Sequence, residues 1–216
     1  YIDENVAMVN GFTNQEGEKS FSAMQSVDFI YLLGVASGAI NLGKPLSAIG
    51  NNMSYRRSVY DEIGGYSALK FSVTEDFNLL MAIHELKKYK IIYPVDEEAL
   101  VTSKPCPDFK SLYRQKKRWS VGGLESDFAG YWVMSAGFLT HVCMMLTPFY
   151  FSTSVLFLFL FKIFIDYFFL KPIYNRMKLT LGIKEFIVFE IYFLLYVLLV
   201  PFILIFDRNV IWKGRK

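Results

Sequence analysis

Apolar and polar residues are distributed in two regimes along the chain. Up to about residue 128, charged and apolar positions interleave as they do in a water-exposed domain. Beyond that point they separate. No Asp, Glu, Lys or Arg occurs from Tyr131 to Phe161, and only Glu190 interrupts the run from Phe186 to Phe206. Each run is long enough to cross a bilayer core, which takes about 20 apolar residues. Pro148 divides the first run, and the stretch Phe151 to Leu170 is apolar apart from Lys162 and Asp166. Two or three membrane-spanning helices fit this pattern, and one segment could instead lie in the interface. Three spans put the basic C-terminus opposite the soluble half, against the tendency of Lys and Arg to stay cytoplasmic. Two spans put Lys171, Arg176 and Lys178 outside. The pattern divides the chain into residues 1–128 and a membrane domain over 129–216.

Within the first half, Val6 to Val9 reads as a short strand closed by Asn10-Gly11, with Tyr1 to Glu4 leading into it. Phe21, Met24, Val27, Ile30, Tyr31 and Val35 recur at helical spacing, which predicts a helix to about Ile40. The stretch from Ile49 to Arg57 predicts a strand leading into a short helix, stopped by Gly64-Gly65 as a C-terminal cap. Ser72-Val73-Thr74-Glu75 has the form of a capping box, with Thr74 as an alternative cap, ahead of a helix over about Glu75 to Lys88. Ile91-Ile92-Tyr93 reads as a buried strand. Residues 109–122 form a basic amphipathic helix suited to a membrane interface.

Composition sharpens this picture in one respect. Hydrophobic residues make up 53% of the chain and aromatics 18%, and the excess lies in the second half. The net charge is +3, but the Lys and Arg clusters (Lys110, Arg114, Lys116, Lys117 and Arg118 before the apolar runs; Arg208, Lys213, Arg215 and Lys216 after them) abut the spanning segments. That adjacency favours juxtamembrane anchoring over nucleic-acid binding. The two cysteines, Cys106 and Cys143, are far apart and lack metal-ligand spacing, as free cysteines in a reducing cytoplasm would be.

Three groups of residues carry candidate chemistry. Thr74-Glu75-Asp76 sets an acid pair at a helix start. The helix dipole alone accounts for acids there, but transfer to a hydroxyl needs a carboxylate to accept its proton. Gln115, Arg118 and Trp119 are spaced i, i+3, i+4 and share one helix face. An interfacial helix would use such a Trp as an anchor. The same face also offers a forked cation for phosphate oxygens and a flat ring for a sugar. Gly50-Asn51-Asn52, with Arg56 and Arg57 behind, reads by itself as a turn followed by surface arginines, although its glycine and amides would also let backbone and side chains approach a ligand. His84 reads as a packed helix histidine, and His141 is a weaker candidate inside an apolar run.

Taken together, the order and spacing of Gly50-Asn51-Asn52, Arg56-Arg57, Gly64-Gly65-Tyr66, Val73-Thr74-Glu75-Asp76 and Gln115-Lys116-Lys117-Arg118-Trp119 resemble a known family. They match the C-terminal half of the family-2 glycosyltransferases, which include cellulose, hyaluronan, chitin and poly-N-acetylglucosamine synthases and ceramide glucosyltransferase. Membrane helices follow these motifs there as here, and the ending Ile211 to Arg215 is similar to the tail of some bacterial members. The resemblance implies an α/β fold: the C-terminal part of a GT-A type nucleotide-sugar transferase domain, followed by transmembrane α-helices. It implies Asp76 as catalytic base and Glu75 as a shaper of the acceptor site. Gln115 and Arg118 would lie on the donor diphosphate or the acceptor, Trp119 stacked on the acceptor sugar, and Asn51 and Asn52 near the sugar subsite.

The implied partners are a nucleotide-sugar donor, usually a UDP-sugar, a polysaccharide or lipid acceptor, and a lipid bilayer, with no nucleic acid. The implied cofactor is a divalent cation, Mg2+ or Mn2+. The implied setting is a multi-pass protein of the inner or plasma membrane with its catalytic domain cytoplasmic. The family's nucleotide-binding strands and Asp-x-Asp metal motif are expected upstream of Tyr1; no Asp-x-Asp occurs in the chain, so no metal ligand is assigned within it. The chain by itself is therefore expected to be inactive. Asn78 stands where many relatives have an acid, and Asn52 where many have a small residue. The alternative reading is an inactive, glycosyltransferase-like membrane scaffold.

Overall fold

A computed structural model describes residues 3–17 and 19–210. The lead-in at Tyr1-Ile2 and the tail over 211–215 lie outside the described residues. The first strand, β1 (Val6–Asn10), is the centre of a three-stranded sheet. β3 (Met53–Tyr55) pairs with it antiparallel and β4 (Lys90–Ile92) pairs parallel. A second, two-stranded sheet pairs β2 (Thr13–Gln15) in parallel with β5 (Val101–Ser103). These two strands are too short to show alternation, and sequence periodicity did not reveal them.

The helices of the first half are α1 (Ser20–Asn41), α2 (Arg57–Glu62), α3 (Gly65–Ala68), α4 (Glu75–Glu85) and α5 (Phe109–Gly123). Gly64, just past α2, has φ of +78°, the left-handed conformation that a helix stop requires. One core forms where Phe77, Leu79, Leu80 and Ile83 of α4 meet Ala7 and Met8 of β1 and Val59 of α2. A larger core surrounds α1, which packs against β2 and β4 and also along α7 and α8. Burial between these partners explains why α1 is apolar around nearly its whole circumference.

Three long helices make up the second half: α6 (Phe128–Leu146), α7 (Thr153–Arg176) and α8 (Ile183–Phe206). Together with α1 they are four helices long and apolar enough to cross a membrane. α1 was not among the expected spans; over half of its apolar window is buried inside the protein, against 11–22% for the other three. The outward faces of α6 to α8 remain apolar. Trp132, Phe157, Leu158, Phe161 and Phe202 are all more than 45% exposed. On α8 the exposed residues Ile183, Ile187, Ile191, Leu195 and Leu199 form one stripe at a spacing of four. A patch of this extent does not face water in a soluble monomer.

Three charges well inside α7 and α8, Lys162, Asp166 and Glu190, turn inward and pair. Lys162 Nζ lies 2.7 Å from Asp166 Oδ2 and 2.6 Å from Glu190 Oε2. The Tyr31 hydroxyl of α1 donates to Asp166 Oδ1 at 3.3 Å. Two carboxylates thus share one ammonium between α7 and α8. Replacing Lys162 by Met should leave two adjacent acids without a cation and cost about 3 kcal/mol or more. The measurement is thermal unfolding in detergent. The triple change Lys162→Met, Asp166→Leu, Glu190→Leu should recover most of that loss.

Candidate active site

The 3-10 turn Gly50–Asn52 and the start of α4 come together around one carboxylate. The Gly50 N–H donates to Asp76 Oδ2 at 2.7 Å, and the Phe77 N–H donates to Asp76 Oδ1 at 3.0 Å. The capping box does not form. Thr74 is the N-cap residue but makes no side-chain cap bond. The Ser72 hydroxyl instead accepts from the Thr74 N–H at 3.0 Å and donates to Glu125 Oε2 at 2.5 Å. The Ser72–Thr74 loop is therefore fastened to the end of α5, and Asp76 itself receives the first-turn amide of Phe77.

α5 approaches this loop closely. Arg118 Nη1 donates to the Val73 carbonyl at 3.0 Å. One turn on, Gly122 sits against the Thr74 side chain, and a β-carbon there would collide with it. By this approach Glu75 and Asp76 from α4 and Gln115, Arg118 and Trp119 from α5 come to line one cavity of about 510 Å³. Asn51 lines it too.

Asn52 does not. Its Nδ2 donates to the Phe12 carbonyl at 2.7 Å and to the Ala99 carbonyl at 2.8 Å, while its own carbonyl accepts from the Gly11 N–H at 2.8 Å. Asn52, expected near the sugar subsite, is instead seen tying three backbone segments together through its side-chain nitrogen and its own backbone carbonyl. Asn78, likewise, donates to the Lys70 carbonyl at 3.0 Å.

Burial raises the Asp76 carboxyl above its ordinary 3.8, against the amides of Gly50 and Phe77 and the nearby Arg118 charge, which act to lower it. Such a group is a stronger base than a solvated aspartate. Two tyrosines complete the wall, Tyr55 from β3 and Tyr66 from α3. Burial, then Tyr55, Glu75 and Asp76, push the Tyr66 phenol up to about 12, so it remains a donor at neutral pH. Gln15, Ser103 and Lys104 supply further polar groups at the ends of β2 and β5. Tyr66 closes the Gly64-Gly65-Tyr66 motif, so a signal for it was present. Gln15, Ser103 and Lys104 have none, because their strands are too short.

Among the described residues no three His, Cys, Asp or Glu side chains gather as a metal site. Glu75 and Asp76 are the carboxylates lining the cavity, and both Asp76 oxygens already accept backbone amides, from Gly50 and Phe77. The cavity residues alone do not fit a metal cage. The chemistry they carry is proton abstraction and the holding of a polar substrate against an aromatic wall.

Gly122→Ala should force α5 away from Thr74 and cost about 1–3 kcal/mol. Gly123→Ala is the control, since the nearest atom to a β-carbon there is Met134 Sδ at 3.5 Å. Denaturation midpoints of the two variants in detergent make the comparison.

The model of the family described as glycosyl transferase family group 2 matches residues 6–206 of the chain. No curated protein and no solved structure matches it.

Proposed function

The chain belongs to glycosyl transferase family group 2, and we propose that it carries the acceptor side of an inverting, membrane-bound glycosyltransferase. The observation that carries this reading is the shared cavity: Asp76, Arg118 and Trp119, from two different helices, line the same 510 Å³ space. The donor is a nucleotide sugar, of which a UDP-sugar is the leading case. The acceptor is a growing polysaccharide or a lipid. The domain fold is the C-terminal part of a GT-A type transferase, and the divalent cation that such chemistry uses takes its ligands from elsewhere than this cavity.

In the proposed reaction Asp76 accepts the proton of an acceptor hydroxyl. The freed oxygen forms a bond to the anomeric carbon as the bond to the donor diphosphate breaks in line on the opposite face. The leaving diphosphate keeps the electron pair, and the configuration inverts. Arg118 and Gln115 hold diphosphate or acceptor oxygens. Trp119 and Tyr66 flank the acceptor sugar ring, Glu75 shapes its site, and Asn51 reaches its hydroxyls. Positioning supplies much of the rate, because two reactants are held in a near-attack geometry.

The apolar helices α6 to α8 act as the membrane anchor, with the cavity on the cytoplasmic side of the cell membrane. The pairing of Lys162, Asp166 and Glu190 with one another supports an anchor over a transport path.

Asp76→Asn in the full-length enzyme should abolish transfer from labelled UDP-sugars in membranes, while donor affinity by equilibrium binding stays within about twofold. Undiminished turnover in that variant would remove Asp76 from the reaction. A catalytically silent scaffold would instead show no transfer in the parent protein. The pH dependence follows from the raised carboxyl. Protonation removes the base, so kcat/KM should fall as pH drops through a value above 3.8 and hold steady on the alkaline side of it. A pH–rate profile with its acid limb at or below the ordinary aspartate value would contradict this.

A further inference from the structure

Lys116 lies between Gln115 and Arg118 in sequence but points away from their cavity. Its side chain and that of Asp28, from the middle of α1, are each 3% exposed and form an ion pair. Three rings surround the ammonium. Nζ is 4.8 Å from the ring centre of Trp119, 4.8 Å from Tyr196 and 5.9 Å from Tyr192. Tyr192 and Tyr196 belong to α8 and stack at 5.9 Å with their planes 4° apart. Trp119 meets Phe29 of α1 at 5.6 Å. The same indole borders the cavity that Asp76 lines.

A buried ion pair is weak evidence for stability, since an apolar pair of the same volume often serves as well. What the cation supplies here, and a methylene chain does not, is attraction to ring faces in a dry environment. That attraction acts on one ring of the cavity and two rings of the membrane helix at once. A second tie lies alongside: Lys117 Nζ and the Tyr113 hydroxyl hold the two carboxylate oxygens of Asp207, the residue after α8, at 2.5 and 2.7 Å.

We propose that Lys116 is a positioning residue which fixes the Trp119 ring by coupling it to Tyr192 and Tyr196 of α8. The inference rests on the transferase reading, in that Trp119 is taken to hold the acceptor. Lys116 touches no substrate; it acts through the indole. The position of α8 thereby becomes a determinant of acceptor alignment.

The test uses the full-length protein with Trp132→Phe and Trp212→Phe as the reference background, so that Trp119 is the only indole within residues 1–216. Any indoles elsewhere in the full-length protein are likewise replaced by Phe. The first variant is Lys116→Met with Asp28→Leu, which removes both charges and leaves neither unpaired. The second is Tyr196→Leu, which keeps the ion pair and removes one ring on α8. Both should lower the fluorescence anisotropy of Trp119, reporting a looser ring. In membranes supplied with labelled UDP-glucose and UDP-N-acetylglucosamine, both should lower kcat about thirtyfold at unchanged donor KM, the scale of one desolvated cation–ring contact. A merely structural role predicts that a folded variant keeps the reference anisotropy and kcat, and that result overturns the proposal. If the double variant does not fold, Tyr196→Leu and Tyr192→Leu decide it. If the reference protein transfers no sugar from either donor, the transferase reading is in question. The anisotropy then tests the coupling by itself.

Discussion

Four charged side chains are buried among the described residues, Asp28, Lys116, Asp166 and Glu190; Lys116 pairs with Asp28 and Lys162 with Glu190 across helix interfaces, while Asp166 shares Lys162 within its own helix and accepts from Tyr31 of α1. An unpaired charge in such surroundings would be prohibitive. The pairs therefore dictate which helix faces may meet. Asp28 with Lys116 fixes α5 against α1. Lys162 with Asp166 and Glu190 fixes α7 against α8, and Tyr31 links that cluster back to α1. The apolar contacts around these pairs are larger in area but not directional. The charges specify the register in which that area is buried.

The cavity depends on the same arrangement at one remove. α4 brings the acids and α5 brings the amide, the guanidinium and the indole. They meet because Gly122 leaves room for Thr74 and because Arg118 and Glu125 bond to the loop ahead of α4. Ser72, Val73 and Thr74 thus do less for the helix they precede than for the helix they face. The raised carboxyl of Asp76 follows from this closeness: the walls that assemble the cavity also withdraw water from its acid.

Helical spacing made α1, α4 and α5 legible close to their observed bounds, and uncharged apolar runs marked the region of α6 to α8 without settling whether it held two spans or three. Local spacing put Gln115, Arg118 and Trp119 on one helix face; that Asp76 would face the same cavity was implied by the family resemblance alone, and all four line it. What escaped was set by partners remote in sequence. Asn52 has the form of a ligand amide, yet the carbonyls of Phe12 and Ala99 claim it. The hydroxyl of Ser72 has the form of a helix cap, yet Glu125 takes it. α1 showed its helical period but not its burial by α7 and α8. Nothing local in Gln115-Lys116-Lys117-Arg118-Trp119 tells which lysine is buried. Only Asp28, in another helix, makes that distinction.

α8 has 24 residues, which at 1.5 Å per residue is about 36 Å, longer than the roughly 30 Å hydrocarbon layer of an ordinary bilayer. A helix too long for its surroundings leans over, and the lean varies with the thickness of the lipid. Here one end of the lever is held, since Asp207 is gripped by Lys117 and Tyr113. In a leaflet enriched in shorter or longer acyl chains, the hydrophobic mismatch would be taken up as torque on that grip. The protein would then sense lipid chain length without binding any particular lipid.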